Sequence, residues 1–142
     1  MDTKRIGNIG EALCLSRFVE YGIPVYLQFG DNEFADYIVI VNNKTYKIQV
    51  KTSFTYDGNT VVFDLTSSTV CGKKHCKHKY SVDEVDYFVC CDAVNKELYL
   101  IKNTGNMRSV TLRFLETKNN QSLCVKYAKD FILNEEAVAN MY

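Results

Sequence analysis

Between residues 35 and 53 the sequence ADYIVIVNNKTYKIQVKTS alternates with a period of two, which predicts a β-hairpin. Asn42-Asn43 supplies the turn, because Asn tolerates positive φ. With the turn there, Val41 pairs with Lys44 and Asp36 falls opposite Gln49. Tyr37, Val39, Val41, Tyr46, Ile48 and Val50 then share one apolar face. On the other face Ile38 and Ile40 give way to Asp36, Gln49 and Lys51, polar groups at the margin of a buried sheet, where they need partners.

The remaining pattern supplies the neighbours of this hairpin. Residues 5 to 21 carry Ile9, Ala12, Leu13, Leu15, Phe18 and Val19 at helical spacing, a predicted apolar stripe, with Gly22 and Pro24 ending the helix. PVYLQF reads as a first strand. FTYDGNTVVFDLTSS reads as a hairpin about Asp57-Gly58, residues 69 to 84 as a loop, and VDYFVCCDAVNKELYLIK as two strands about Ala-Val-Asn. SVTLRFL adds an extended segment. CVKYAKDFIL predicts a closing helix with Val125, Ala128, Phe131 and Ile132 on one side. Helix, several strands, then helix is the order of an α/β or α+β domain with a mixed or mainly antiparallel sheet.

The composition sharpens this picture without changing it. The 142 residues are 46% hydrophobic and 24% charged, with one proline and seven glycines, as expected of one globular domain spanning 1–142 without a linker. No apolar run reaches membrane-spanning length, and MDTKRIGNIGE lacks a signal peptide's apolar region, so a cytoplasmic protein is expected. Its six cysteines are then expected to be reduced, with Cys90 and Cys91 acting as small hydrophobes in a strand. Net charge is zero, so any attraction to nucleic acid must come from local patches.

Candidate chemistry starts from the polar end of the hairpin. A carboxylate beside an amide oxygen suits a hard cation such as Mg²⁺. A nearby Lys can serve a water or a developing phosphate charge. One acid is too few, and the first helix offers a second, Glu11, just after Gly7 and Gly10, whose lack of Cβ would allow a close backbone approach. Each residue alone has an ordinary reading: a strand-end Asp, a solvated Lys, an acid favouring a helix start.

Taken together, Glu11, Asp36 and Gln49-Val50-Lys51 resemble the PD-(D/E)XK nuclease superfamily. The likeness is greatest to intron-encoded homing endonucleases with a Gln-x-Lys variant and to archaeal-type Holliday-junction resolvases. YSVDEVDYFVCCD and TLRFLETKNNQSLCVKYAKDFIL also look like the homing-endonuclease branch. Two positions depart from the family pattern: Ala35 stands where Pro often precedes the Asp, and Gln49 replaces an acid. The resemblance implies a restriction-endonuclease-like core and a metal-dependent DNA endonuclease. Glu11, Asp36 and Gln49 would hold Mg²⁺, with Mn²⁺ as the alternative, and Lys51 would serve the attacking water. Cutting two strands implies a homo-dimer or homo-tetramer. The alternatives are a junction resolvase, a non-catalytic nucleic-acid-binding module of the same fold, and an interaction domain without metal or DNA.

CGKKHCKHK, residues 71 to 79, has two readings. Cys71, His75, Cys76 and His78 are metal-ligand types, but their spacing matches no standard zinc pattern, and zinc is not expected. Lys73, Lys74, Lys77 and Lys79 are candidate phosphate contacts on DNA, weighed against an ordinary solvated loop.

Overall fold

Helix α1, Thr3–Glu20, opens the chain in the computed structural model, which describes residues 1–116 and 124–142. Asp2 caps it by accepting the Arg5 N–H at 2.8 Å. Gly22 closes it at φ 69°, with Gly22 N–H donating to Val19 and Ile23 N–H to Phe18, so the orphan carbonyls of the last turn are satisfied. The buried line on α1 is Gly10, Cys14 and Phe18, whereas Ala12 and Val19 of the expected stripe are exposed. The reason is close packing at Gly10. A Cβ there would meet Thr52 Oγ1 at 1.9 Å and Cys91 Cβ at 3.3 Å, so the helix turns its smallest residue to the sheet. Gly7 has open space where its Cβ would be and does not share that role.

The main sheet contains β1 (Val25–Leu27), β2 (Tyr37–Val41), β3 (Lys44–Ser53), β7 (Tyr87–Asp92) and β8 (Glu97–Lys102), in the order β1-β2-β3-β7-β8. It is mixed: β3 runs parallel to β7, and the other pairs are antiparallel. The β2–β3 hairpin has the expected register, from Val41↔Lys44 to Tyr37↔Ile48, about Asn42 and Asn43 at φ 51° and 63°. Two positive φ values at the turn match the twist of the flanking strands.

Three expected elements differ. The Asp57-Gly58 turn forms, but β4 (Thr60–Asp64) pairs with β9 (Ser109–Arg113) rather than folding back on β3. Both edges of β3 are already occupied by β2 and β7. Residues 69 to 84 are not all loop: β5 (Thr66–Cys71) and β6 (Lys74–Lys79) form a two-stranded arm. Most of the arm is exposed, so it lacks the one-sided apolar alternation that marks a half-buried strand. CVKYAKDFIL is not a helix. It contains β10 (Lys126–Tyr127), parallel to β9, and a 3-10 turn at Ala128–Asp130. Residues 131–133 then lie along β8, with Leu100 N–H donating to Phe131 and Leu133 N–H to Leu98. Unpaired backbone at the β8 edge favours extended chain there. The closing helix, α2, is Glu135–Ala139, capped by Asn134.

The two faces of the main sheet have separate cores. Cys14, Phe18, Val39, Ile48, Val89, Cys91, Leu98 and Val138 pack on the helical side. Val61, Phe63, Phe88, Cys90, Tyr99 and Leu112 pack on the side of β4 and β9. Cys90 and Cys91 are both fully buried, one in each core, and all six cysteines are free thiols. Among the described residues, no helix is long and apolar enough to cross a membrane.

Candidate active site

Asp36 lies just before β2, where the hairpin ladder runs out. Its N–H donates to Ile48 O at 2.8 Å, and its Oδ2 accepts the Val50 N–H at 2.8 Å. The carboxylate thus takes a β3 donor that has no β2 partner. Gln49, the next position along the ladder, donates weakly from Nε2 to the Val50 carbonyl at 3.3 Å. Glu11 arrives from α1. The close contact at Gly10 sets its height over the sheet, and the Tyr37 hydroxyl donates to the Glu11 carbonyl at 2.9 Å.

Glu11, Asp36 and Gln49 line one cavity of about 550 Å³, with Tyr37, Ser67, Thr69, Tyr80 and the loop from Leu27 to Phe34. Lys51 lines an adjoining hollow that Glu11 also borders. Its Nζ donates to Thr66 O at 2.8 Å and to the Tyr80 hydroxyl at 3.1 Å, and it lies 4.9 Å from the Tyr80 ring centroid.

Charge in this region is poorly solvated. Burial pushes the Asp36 carboxyl up to about 6; the Val50 N–H and Lys51 oppose this, and Glu11 adds to it. Burial raises Glu11 as well. Lys51 is lowered by burial, against the pull of Asp64 and Asp36. Each shift marks a group that lacks a full counter-charge or solvent shell.

A family model for PD-(D/E)XK endonucleases matches residues 1–134. The chain belongs to the PD-(D/E)XK endonuclease family. Its fold is similar to that of a bacterial homing endonuclease, I-Ssp6803I, at a TM-score of 0.73 and 18% identity, covering 93% of this chain and 89% of that one. No curated protein sequence matches it.

A divalent cation fits the donor set of this PD-(D/E)XK chain. Burial holds both carboxylates above their ordinary range, with Glu11 raising Asp36 further, and both face one cavity where a cation would relieve them. The Gln49 amide turns its nitrogen to backbone, which leaves its oxygen as the third donor. Among the described residues, no group of three or more His, Cys, Asp or Glu side chains is arranged to hold a metal. A cation held here would have two charged ligands and a neutral one.

The basic segment is distributed around the arm. Lys73 and Lys74 stand exposed at its turn. Lys77 pairs with Asp64 at 3.1 Å, and Lys79 donates to Asn106 at 2.8 Å. Alternation puts Cys71, Cys76 and His78 on one face of the arm and His75 on the other. His78 is taken by Glu84 at 2.8 Å and stacks on Phe34, ring centroids 4.9 Å apart. In the second sequence stretch that resembles homing endonucleases, residues 117–123 lie outside the described residues.

The residue that sequence reasoning missed is Tyr80. It lies between the arm and β7, in no periodic pattern, and only the folded chain brings it to Lys51. Ser67 and Thr69 were missed for the same reason: they face the cavity only because residues 66–79 form an arm rather than a loop.

Proposed function

We propose that this PD-(D/E)XK chain is a divalent-metal-dependent DNA endonuclease, site-specific in the manner of homing endonucleases, acting as a homo-oligomer. The observation that carries the reading is the shared cavity of Glu11, Asp36 and Gln49, with Lys51 in an adjoining hollow that Glu11 also borders. Glu11, Asp36 and the Gln49 oxygen would hold Mg²⁺ or Mn²⁺, which supplies charge stabilisation at the phosphate and acidifies a bound water. Net hydrolysis adds one water across one P–O bond.

The side chains have separable tasks. Asp36 is fixed by the Val50 N–H, so one carboxylate oxygen is oriented before any ligand arrives. The Lys51 ammonium has three protons and gives two of them to Thr66 and Tyr80. The third is left for a water or a phosphate oxygen. Lys73 and Lys74 at the arm's turn are the candidate backbone contacts, with Lys77 and Lys79 behind them. Duplex cleavage needs two such cavities, which is the reason for a dimer or tetramer.

A second reading, a DNA-binding module of the same fold without cleavage, is favoured by Gln49, which adds no charge to the cavity. Incubation with supercoiled, linear and four-way-junction DNA, with and without Mg²⁺, separates the cases. Mg²⁺-dependent cuts at a defined duplex site support the proposal. Cutting confined to the junction makes the protein a resolvase. Binding without any cutting leaves the non-catalytic module, and neither binding nor cutting leaves an interaction domain.

A further inference from the structure

We propose that the Tyr80 hydroxyl is a catalytic hydrogen-bond donor to the scissile phosphate, aligned by the bond it accepts from Lys51. The inference rests on the endonuclease reading above and adds a residue to it. Tyr80 is buried, and its ring is held edge-on by Phe88, Phe34 and His78 at centroid distances of 5.6, 5.7 and 5.9 Å. Its carbonyl accepts from the buried Asn103 side chain at 3.1 Å, which also binds the carbonyls of Ser81 and Val85. Ring and backbone are therefore both fixed, and the hydroxyl has little freedom to wander.

The direction of the Lys51 bond decides what the hydroxyl can do. An ammonium has protons and no lone pair, so at 3.1 Å the Tyr80 oxygen is the acceptor. Its own proton is not used in that bond. Tyr80 lines the same cavity as Glu11, Asp36 and Gln49, where an anionic ligand would meet the cation. Burial keeps the phenol protonated, the neighbouring Ser67 hydroxyl opposes this, and the nearby Asp36, Glu84 and Asp64 reinforce it. A neutral O–H held in place, donating to a phosphate bound in this cavity, would cost no reorganisation as charge shifts during P–O cleavage. A tyrosine that only filled the core would not need its hydroxyl beside the one amine of the site.

Tyr80→Phe removes the hydroxyl and keeps the ring contacts. The expected result on a DNA that the wild type cuts is a kcat lower by roughly 100-fold with KM changed by less than about threefold. A kcat within about threefold of wild type in a folded variant overturns the proposal. A KM raised as much as kcat falls would mean that the hydroxyl only helps to bind DNA, and that also overturns the proposal. If Tyr80→Phe fails to fold, difluorotyrosine at position 80 replaces it, since it keeps the hydroxyl and acidifies it. Activity should then fall along the fluorophenol's own titration, and a flat profile overturns the role. A wild type that cuts no DNA with Mg²⁺ overturns the endonuclease reading itself, whereas an unslowed Tyr80→Phe variant of an active wild type overturns only the role of Tyr80.

Discussion

Asp36 accepts the backbone N–H of Val50 at 2.8 Å, the bond that a continuing β2 strand would otherwise have made. One oxygen of the carboxylate therefore serves the sheet while the side chain borders the cavity. The same group carries electrostatic strain, since burial pushes its pKa up to about 6.

That strain has a sign. A carboxyl whose folded pKa lies above its unfolded value binds protons more tightly when folded, so stability falls as pH rises from about 4 to about 6. Asp36→Asn keeps an oxygen for the Val50 N–H and removes the charge. In chelator at pH 7.5 the variant should be more stable than wild type, by on the order of 2–3 kcal/mol in urea unfolding. The gain should shrink toward zero at pH 4, and cleavage should be lost at every pH. Equal stability at pH 7.5 would mean that Asp36 is well solvated.

Gln49→Glu puts a third carboxylate into the cavity of Glu11 and Asp36. Cross-strand neighbours at this spacing lie roughly 5 Å apart, so the acids repel when no cation is present. Thermal melts should show a lower Tm than wild type in chelator and recovery with Mg²⁺. If Mg²⁺ shifts the variant no more than it shifts wild type, Gln49 does not face the cation.

Gly10→Ala tests how Glu11 is delivered. The added methyl would overlap Thr52 Oγ1 at 1.9 Å, and rotating that side chain still leaves Thr52 Cβ at 3.1 Å. The helix must lift, costing about 1–3 kcal/mol. Glu11 moves with it, so Mg²⁺ affinity measured by calorimetry should drop alongside stability. Gly7→Ala, with nothing within 4 Å, should change neither. Normal metal affinity in a destabilised Gly10→Ala protein would uncouple the helix contact from the site.

The arm makes a prediction about salt. Lys73→Ala with Lys74→Ala should reduce the slope of log K against log salt for DNA binding by roughly 2, one per lost phosphate contact. Adding Lys77→Ala and Lys79→Ala should change it less, because those amines already have protein partners. Titrations at several salt concentrations check this, and an unchanged slope in the double variant assigns its lysines to solvated surface.

The hairpin and its odd face were legible because two local signals agree there. Asn42-Asn43 specifies the turn, and strict alternation fixes which side each residue takes, so Asp36 opposite Gln49 follows from residues 35–53 alone. The family resemblance was legible from four positions on the first helix and the hairpin, and from the stretches 80–92 and 111–133. What was hidden depends on contacts between distant segments. The α1 stripe was misread because its buried line is marked by Gly10 and Cys14, small residues chosen for close approach rather than hydrophobicity. The arm, wet on both sides, has no burial pattern to read. Residues 124–133 carry apolar side chains at near-helical spacing, yet the backbone needs of β8 hold 131–133 extended. Tyr80 reaches Lys51 only through tertiary packing.

The parallel pairing of β3 with β7 sets an order of events during folding. β2 and β3 are joined by a two-residue turn, so the hairpin holding Asp36 and Gln49 can close on the timescale of local contacts. β7 can join β3 only after the whole intervening excursion, β4 and the arm included, has been looped out. Long-range parallel pairing of this kind is slow because loop closure must precede any reward. Tyr80 and the arm, which complete the walls of the cavity, belong to that late step. The chain therefore carries an open, half-built acid site through the earlier stages of folding, and acquires the surroundings that position Lys51 only when the sheet is whole.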